Sequence, residues 1–404
     1  MNTLAVFTSL RHPRFARLYL AQTISQVGDA LTWVGLALLA YQLAGGNAAV
    51  VLGTALTIRV AAFVLFSPLA GVVADRVNRK LLLAGCHFGR MIIIGLMPFV
   101  TEVWQVYALM FLLNTLTAFF TPTNQATVPL VVGREDAAPA FALSSATTEL
   151  LGIVGPGLAG VLAAFLGGRN LFFIDAATFL IAGLLILTLP TLRANQGEVR
   201  ASTLSDVKDG TARLWRDPPI RYALLLELVA AIAGALILVE TVTRVQSGLK
   251  LGEAQYGWVM AAYGLGATLA SLAVGAAARR VARTTFIGVG ALITSLAILP
   301  GDVVGYALLL ALWLIAGVGQ NWVNLPTETL LAERTEEMAQ GRVYGAHFAW
   351  SHLWWALAYP LAALLGKQFE DRAFLYGGLI ALAVLAVVQF THLSRAGRRT
   401  SAAD

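Results

Sequence analysis

Cysteine and charge are both scarce in this chain of 404 residues, which has one cysteine, Cys86, and only 12% charged residues. A lone cysteine excludes an intramolecular disulfide and a cysteine-based zinc cluster, and it says nothing about redox compartment. So little charge beside 58% hydrophobic residues and a mean hydropathy of +0.74 excludes a soluble globule, whose charged share is about 25%. Polar–apolar alternation is missing too. The run Phe179 to Leu187 is apolar on every face, which excludes a membrane β-barrel built from alternating strands of roughly 10 residues. Neither a P-loop nor a nucleophile elbow is present, and the one Gly-x-Gly-x-x-Gly spacing, Gly155 to Gly160, lies in an apolar stretch rather than after a strand. An enzyme, a directly ATP-fuelled pump and a bound cofactor therefore have no motif to rest on.

What the chain has in abundance is apolar stretches long enough to cross a bilayer as helices, about 20 residues each. They fall near 17–43, 48–73, 81–100, 103–128, 139–166, 170–190, 220–244, 254–277, 285–300, 303–330, 341–366 and 372–392. The sequence thus predicts an all-α membrane protein with twelve transmembrane helices, the first of them uncleaved because no small-residue cleavage site separates Arg11, Arg14 and Arg17 from it. With both termini cytoplasmic, the inner loops and tails hold 21 of the 28 Lys and Arg residues and the outer loops four, Arg169, Lys250, Lys367 and Arg372. That asymmetry predicts a multi-pass protein with both ends in the cytoplasm; the membrane expected for it is a bacterial inner (plasma) membrane. It also accounts for the net charge of +6 without nucleic acid as a partner.

The one long polar stretch, Thr191 to Pro219, lies at the midpoint and reads as a linker. The expected domains are a six-helix bundle over 1–190, a cytoplasmic linker over 191–219 and a second bundle over 220–404. Shifting the sequence by 204 positions superposes Gly71 on Gly275, Pro122 on Pro326 and Pro156 on Pro360, and Arg76 and Arg79 on Arg280 and Arg283. Helix-breaking positions in one register point to a duplicated six-helix unit, the construction of alternating-access transporters.

Between the second and third segments stands Gly71-Val-Val-Ala-Asp75-Arg76-Val-Asn-Arg79-Lys80. This resembles the G-x-x-x-D-R-x-x-R-K loop signature of the major facilitator superfamily. Its echo Gly275-Ala-Ala-Ala-Arg279-Arg280-Val-Ala-Arg283 keeps the spacing and replaces the acid by Arg. The resemblance implies two pseudo-symmetric six-helix bundles and a cytoplasmic latch from this loop to the start of the eleventh segment at Gly341-Arg342. Physically, Gly71 permits close helix approach, and Asp75 suits the positive end of a neighbouring helix. Gly155-Pro156-Gly-Leu-Ala-Gly160 is similar to the G-P-x-x-G-G signature of antiporters in the same superfamily, with Ala159 in place of the first paired Gly. A kinked helix with a small-residue packing face would leave the same trace. The phrases Gln22 to Asp29, Phe120 to Pro129 and Phe173 to Phe179 resemble the efflux branch that includes enterobactin, macrolide and nickel or cobalt exporters. Gln320 to Pro326 and Gly341 to His352 are most similar to nickel-resistance exporters, although no His follows His392 where such exporters often carry a His-rich tail.

An ionisable group within a span costs about 3 kcal/mol on insertion scales, so each marks a candidate site. Asp29, Arg59, Arg90, Glu149, Glu227, Glu240 and Glu328 are of this kind. Asp29, Glu149 and Glu227 are the candidate proton-coupling groups, with ion pairing to Arg59 or Arg90 as the alternative for Asp29 and Glu149. Glu240 and Arg244, four apart with the acid first, suit a helical pair or outer gate, and Asp175 suits interfacial hydrogen bonding at the outer end of its helix. Polar residues repeat on three segments: Gln22, Ser25 and Gln26; Asn114, Thr115 and Thr117; Gln320, Asn321 and Asn324. In the superfamily these helices face the central cavity. Three of the five histidines, His87, His347 and His352, fall in the interior of spans. Imidazole suits nickel, cobalt, zinc or a proton, while Trp350, Trp354 and Trp355 suit an apolar drug pocket.

The expectation is therefore a secondary transporter working by alternating access: a proton-coupled exporter of a toxic divalent cation such as nickel or cobalt, with an organic drug or siderophore, or a lysolipid, as alternative substrates. Asp29, Asn114, Asn321, Asn324, Glu328, His347 and His352 are its substrate-binding candidates, His347 and His352 being the metal ligands. Gly71, Asp75, Arg76, Arg79, Lys80, Gly155, Pro156, Glu240, Arg244 and Arg342 are its gating candidates. Its expected partners are the transported molecule, protons and the lipid bilayer, and it is expected to be a monomer.

Overall fold

The computed structural model describes residues 6–133, 136–191, 204–277, 281–335, 340–369 and 371–400. Among the described residues there is no strand, and thirteen α-helices follow one another. They are α1 (Pro13–Ala44), α2 (Ala48–Arg76), α3 (Arg79–Leu96), α4 (Val103–Val132), α5 (Ala137–Leu166), α6 (Gly168–Leu187), α7 (Leu204–Arg216), α8 (Pro218–Thr243), α9 (Glu253–Ala277), α10 (Arg283–Ile298), α11 (Tyr306–Arg334), α12 (Gln340–Gln368) and α13 (Ala373–Thr400). The all-α architecture with twelve spans holds, α1–α6 and α8–α13 occupying the expected stretches. The additional helix, α7, lies inside the stretch read as a linker.

Local chemistry sets several helix ends. Asn78 Oδ1 accepts from Lys80 N at 3.1 Å to start α3. Glu102 and Gln105 form a reciprocal capping box at α4, and Asp217 Oδ1 accepts from Ile220 N at 3.1 Å ahead of Pro218, the first residue of α8. Gly133 and Gly167, with φ of 85° and 79°, end α4 and α5 in a backbone region that side chains with a Cβ disfavour. Prolines lie within α4 (Pro122, Pro129), α5 (Pro156), α11 (Pro326) and α12 (Pro360). Each of Pro122, Pro156, Pro326 and Pro360 stands about five turns from its helix start, so the duplicated register of the sequence is also a register of helices.

Contacts divide the chain into two compact units, Met1–Leu43 with Ala55–Ala201, and Ala44–Thr54 with Ser202–Asp404. In the first, α3 packs on α4 and α6, and α5 on α4 and α6, around a core that includes Phe15, Leu18, Leu83, Phe120, Val128, Leu143 and Ile186. In the second, α8 is the central element, packed by α7, α10, α11, α12 and α13. It buries Leu226, Val229, Ile232, Leu236 and Val239 on successive faces, as a helix that is apolar all round must. Large apolar side chains such as Leu65, Phe99, Phe165, Val303 and Phe390 stay exposed, which suits a hydrocarbon solvent and not water.

Candidate functional site

The most concentrated intramembrane chemistry of the second unit is carried by three helices. His347 of α12 is buried, and its Nε2 lies 2.8 Å from Glu227 Oε1 of α8. On the opposite side of the ring, Nδ1 lies 3.4 Å from Glu328 Oε1 of α11. One imidazole is thus flanked by two carboxylates. A neutral imidazole has a single N–H, whereas an imidazolium has one on each nitrogen and a charge that both carboxylates attract, so the electrostatics of the cluster change with one proton. Glu227 is also buried, and its Oε2 has no hydrogen-bond partner among the described residues.

His352 is not part of this cluster. Its Nδ1 lies 2.8 Å from Phe348 O on its own helix, and five residues along a helix turn it about 140° from His347. Among the described residues no group of three His, Cys, Asp or Glu is placed to hold a metal ion. Gln320 and Asn321 of α11 are buried with Oε1 and Oδ1 unpartnered among the described residues, whereas Asn324 is exposed. Aromatic rings line the same helix as His347: Trp350 packs on Trp354 at 5.3 Å and on Trp215 of α7 at 5.1 Å, and Trp355 on Tyr359 at 5.2 Å.

The first unit holds a second buried network. Asp175 of α6 is fully buried and accepts from Thr32 Oγ1 of α1 at 2.5 Å and from Thr178 Oγ1 at 3.1 Å. The hydrogen bonding expected of Asp175 is thus made between two helices inside the unit. Gly28 makes the approach possible, since a Cβ there would collide with Asp175 and Thr178. Arg90 of α3 is buried too, lying 4.2 and 4.5 Å over the rings of Phe120 and Phe179, with Nη2 3.0 Å from His87 Nδ1. A guanidinium only donates, so His87 Nδ1 accepts and that ring is neutral. Asp29, half-buried on α1, is attracted by Arg90 and by Arg59, the latter lying 4.5 Å over the Trp33 ring. Neither Arg90 nor Asp175 is among the expected coupling, substrate or gating residues. The signal in the sequence is a charge inside each of two apolar runs, 81–100 and 170–190.

Other candidates have plainer surroundings. Asn114, Thr115 and Thr117 bond the carbonyls four residues back on α4, at 2.7, 2.8 and 2.9 Å, while Gln22 Oε1 accepts from Asn124 Nδ2 at 2.9 Å between α1 and α4. Arg79 is buried and donates to Ala126 O at 2.6 Å, tying the start of α3 to α4. Arg342 donates to Asp209 Oδ2 of α7 at 2.9 Å. Gly71, Asp75 and Arg76 occupy the last turns of α2, and Glu149 lies on α5; their side chains are outside the described residues. A Cβ on Gly155 would stand 2.8 Å from Ala30 Cβ, so α5 and α1 meet there, one residue before Pro156. Arg244 donates to Gly301 O and Val304 O at 2.8 and 2.7 Å, joining the end of α8 to the α10–α11 connection, and Glu240 is buried one turn before it.

Comparison with known proteins accords with this architecture. The family model described as Major Facilitator Superfamily matches residues 18–249 and 224–403. The chain is 26% identical over 341 residues to the "Uncharacterized MFS-type transporter YfiS" of Bacillus subtilis, covering 81% of this chain and 80% of that protein. It is 26% identical to the "Multidrug efflux pump Tap" of Mycolicibacterium fortuitum, covering 69% of each, and 25% identical to the "Macrolide efflux protein A" of Streptococcus pyogenes, covering 53% of this chain and 54% of that one. In fold it is similar to the nucleoside transporter NupG, with TM-score 0.68, 15% identity and coverage of 93% of this chain and 98% of that one. A bacterial homologue of the human lysosomal transporter Spinster gives TM-score 0.70 at 14% identity, covering 94% and 96%. A twelve-span helical chain with the loop signature, the repeat and these matches is a multi-pass membrane transporter and not an enzyme, and it belongs to the major facilitator superfamily.

Proposed function

We propose that this transporter exports bulky organic compounds across a bacterial inner membrane in exchange for protons, by alternating access, with both termini in the cytoplasm. The observation that carries the proton reading is the imidazole of His347 held between Glu227 and Glu328. Three ionisable groups inside one helical unit are costly unless they have work to do, and the charge of the imidazole between the two carboxylates has two states related by one proton. The sequence marks Glu227 as a proton-coupling residue, and His347 and Glu328 as substrate ligands; we assign all three to the proton. Asp29, with Arg90 and Arg59 as its electrostatic partners, suits a structural ion pair better, and Glu149 is a second proton candidate on its position in α5 alone.

Organic export is supported by the efflux relatives and by the aromatic side chains of α12. A divalent cation has weaker support: both His347 nitrogens face carboxylates, and His352 Nδ1 faces a backbone carbonyl. The positive-inside count supports the orientation, and the α5 phrase around Pro156 supports export. The test uses inverted membrane vesicles with an imposed pH gradient, acid inside, and a labelled macrolide or nickel. Uphill macrolide uptake that a protonophore collapses is expected, with Glu227→Gln losing uphill uptake yet keeping downhill exchange. Macrolide uptake indifferent to the protonophore overturns the coupling, and uptake of nickel alone overturns the substrate.

A further inference from the structure

A cavity opens in the second unit where α7, the start of α8 and the end of the apolar run of α13 meet. It has a volume of about 300 Å³ and is lined by Trp215 of α7, by Pro218, Arg221, Tyr222 and Leu225 in the first two turns of α8, and by Val388, Thr391 and His392 of α13. Its walls are of two kinds. Arg221 brings a permanent positive charge, with Nη1 donating to Trp215 O at 3.2 Å. His392 stacks on Tyr222 at 4.5 Å between ring centroids, and the Tyr222 hydroxyl accepts from Gln389 Nε2 at 2.7 Å. Leu225 and Val388 supply the apolar floor.

The setting is that of a membrane interface. The apolar run of α13 gives way at Ser394 to a basic stretch with Arg395, Arg398 and Arg399 on the same helix. On the membrane side of this rim, Val387 and Phe390 are 64% and 74% exposed. Trp215 and Tyr222 are the amphipathic aromatics that settle at headgroup depth. Basic pockets between spanning helices at this depth suit anionic headgroups.

We propose that this cavity binds the headgroup of an anionic phospholipid, the phosphate against Arg221 and His392 and the acyl chains along the α13 flank of Val387 and Phe390. Zwitterionic lipids carry a compensating cation that Arg221 repels, so the site discriminates by net charge. Because α8 bears Glu227, lipid held here braces the first turns of the helix that carries the proton cluster.

The experiment uses the full chain purified in detergent, probed with phosphatidylglycerol, phosphatidylcholine or inorganic phosphate, and read by native mass spectrometry and by thermal unfolding. Phosphatidylglycerol is expected to stay bound to the parent and raise its unfolding temperature. Arg221→Gln is expected to weaken retention about fivefold, the effect of one basic residue near an anionic headgroup, and Arg221→Lys to restore most of it. Phosphatidylcholine is expected to be retained weakly and equally by all three proteins. Equal retention of both lipids by the parent, unchanged phosphatidylglycerol retention by a folded Arg221→Gln, or displacement of the lipid by millimolar inorganic phosphate would each overturn the proposal.

Discussion

Arg90 is the buried cation of the network in the first unit. It is buried against two aromatic faces and beside His87, and its charge attracts Asp29 and Asp175. Removing one partner of a buried ionic network leaves the other charges uncompensated, at a cost of roughly 3–5 kcal/mol. Arg90→Gln is therefore expected to lower detergent-extracted yield and thermal stability sharply. Arg59→Gln should lose less: its contact with the Trp33 ring is worth about 1 kcal/mol, and Asp29 keeps Arg90 as its larger electrostatic partner. Equal losses in the two variants would contradict this ranking. The residues of both networks are visible in the sequence as charges in apolar runs, but their grouping is not. Glu227 and His347 are 120 residues apart, and only the packing of α8, α11 and α12 decides which carboxylates a given imidazole meets. The partner of Asp175 is hidden from the sequence for the same reason: Thr32 is 143 residues away.

At the scale of elements, the spans are legible because a membrane-crossing helix must be apolar over its whole length. The helix α7 is not, because its composition is that of a linker: Asp206, Lys208, Asp209, Arg213 and Arg216 obscure the helical spacing of Leu204, Val207, Thr211 and Leu214. Leu214 is fully buried, and Asp209 and Asp217 pair with Arg342 and Arg334. Asp217→Ala removes both the cap of α8 and the Arg334 pair, and should destabilise by about 1–2 kcal/mol, whereas Asp209→Ala, which loses only exposed pairs, should cost less than about 1 kcal/mol. Chemical unfolding in detergent ranks them. A different clamp joins α13 to the α10–α11 connection, where Asp302 accepts from Phe374 N and Leu375 N at 3.2 and 2.8 Å. Burial pushes the Asp302 carboxyl above its usual range, against those two bonds and the attraction of Arg244. A raised carboxyl in the folded state means that the folded protein takes up the proton first. Stability from this group therefore rises as pH falls through its raised folded value toward the unfolded value of about 3.9. Asp302→Asn is expected to remove that part of the pH dependence, and an identical pH profile in parent and variant would contradict it.

For the whole molecule, the duplicated proline register, the loop signature and the charge asymmetry all concern the same transporter architecture, and all are readable from the chain because they are periodic or compositional. The proposed proton chemistry is not periodic, and it is assigned to one cluster in the second unit. Its most direct measurement is proton release on substrate binding, followed with a pH indicator in weakly buffered detergent solution near neutral pH, with binding of a macrolide followed in parallel by tryptophan quenching. The parent is expected to release protons as the macrolide binds, while Glu227→Gln and His347→Gln bind it with little or no release. Release undiminished in both variants would contradict the assignment of the proton to Glu227, His347 and Glu328.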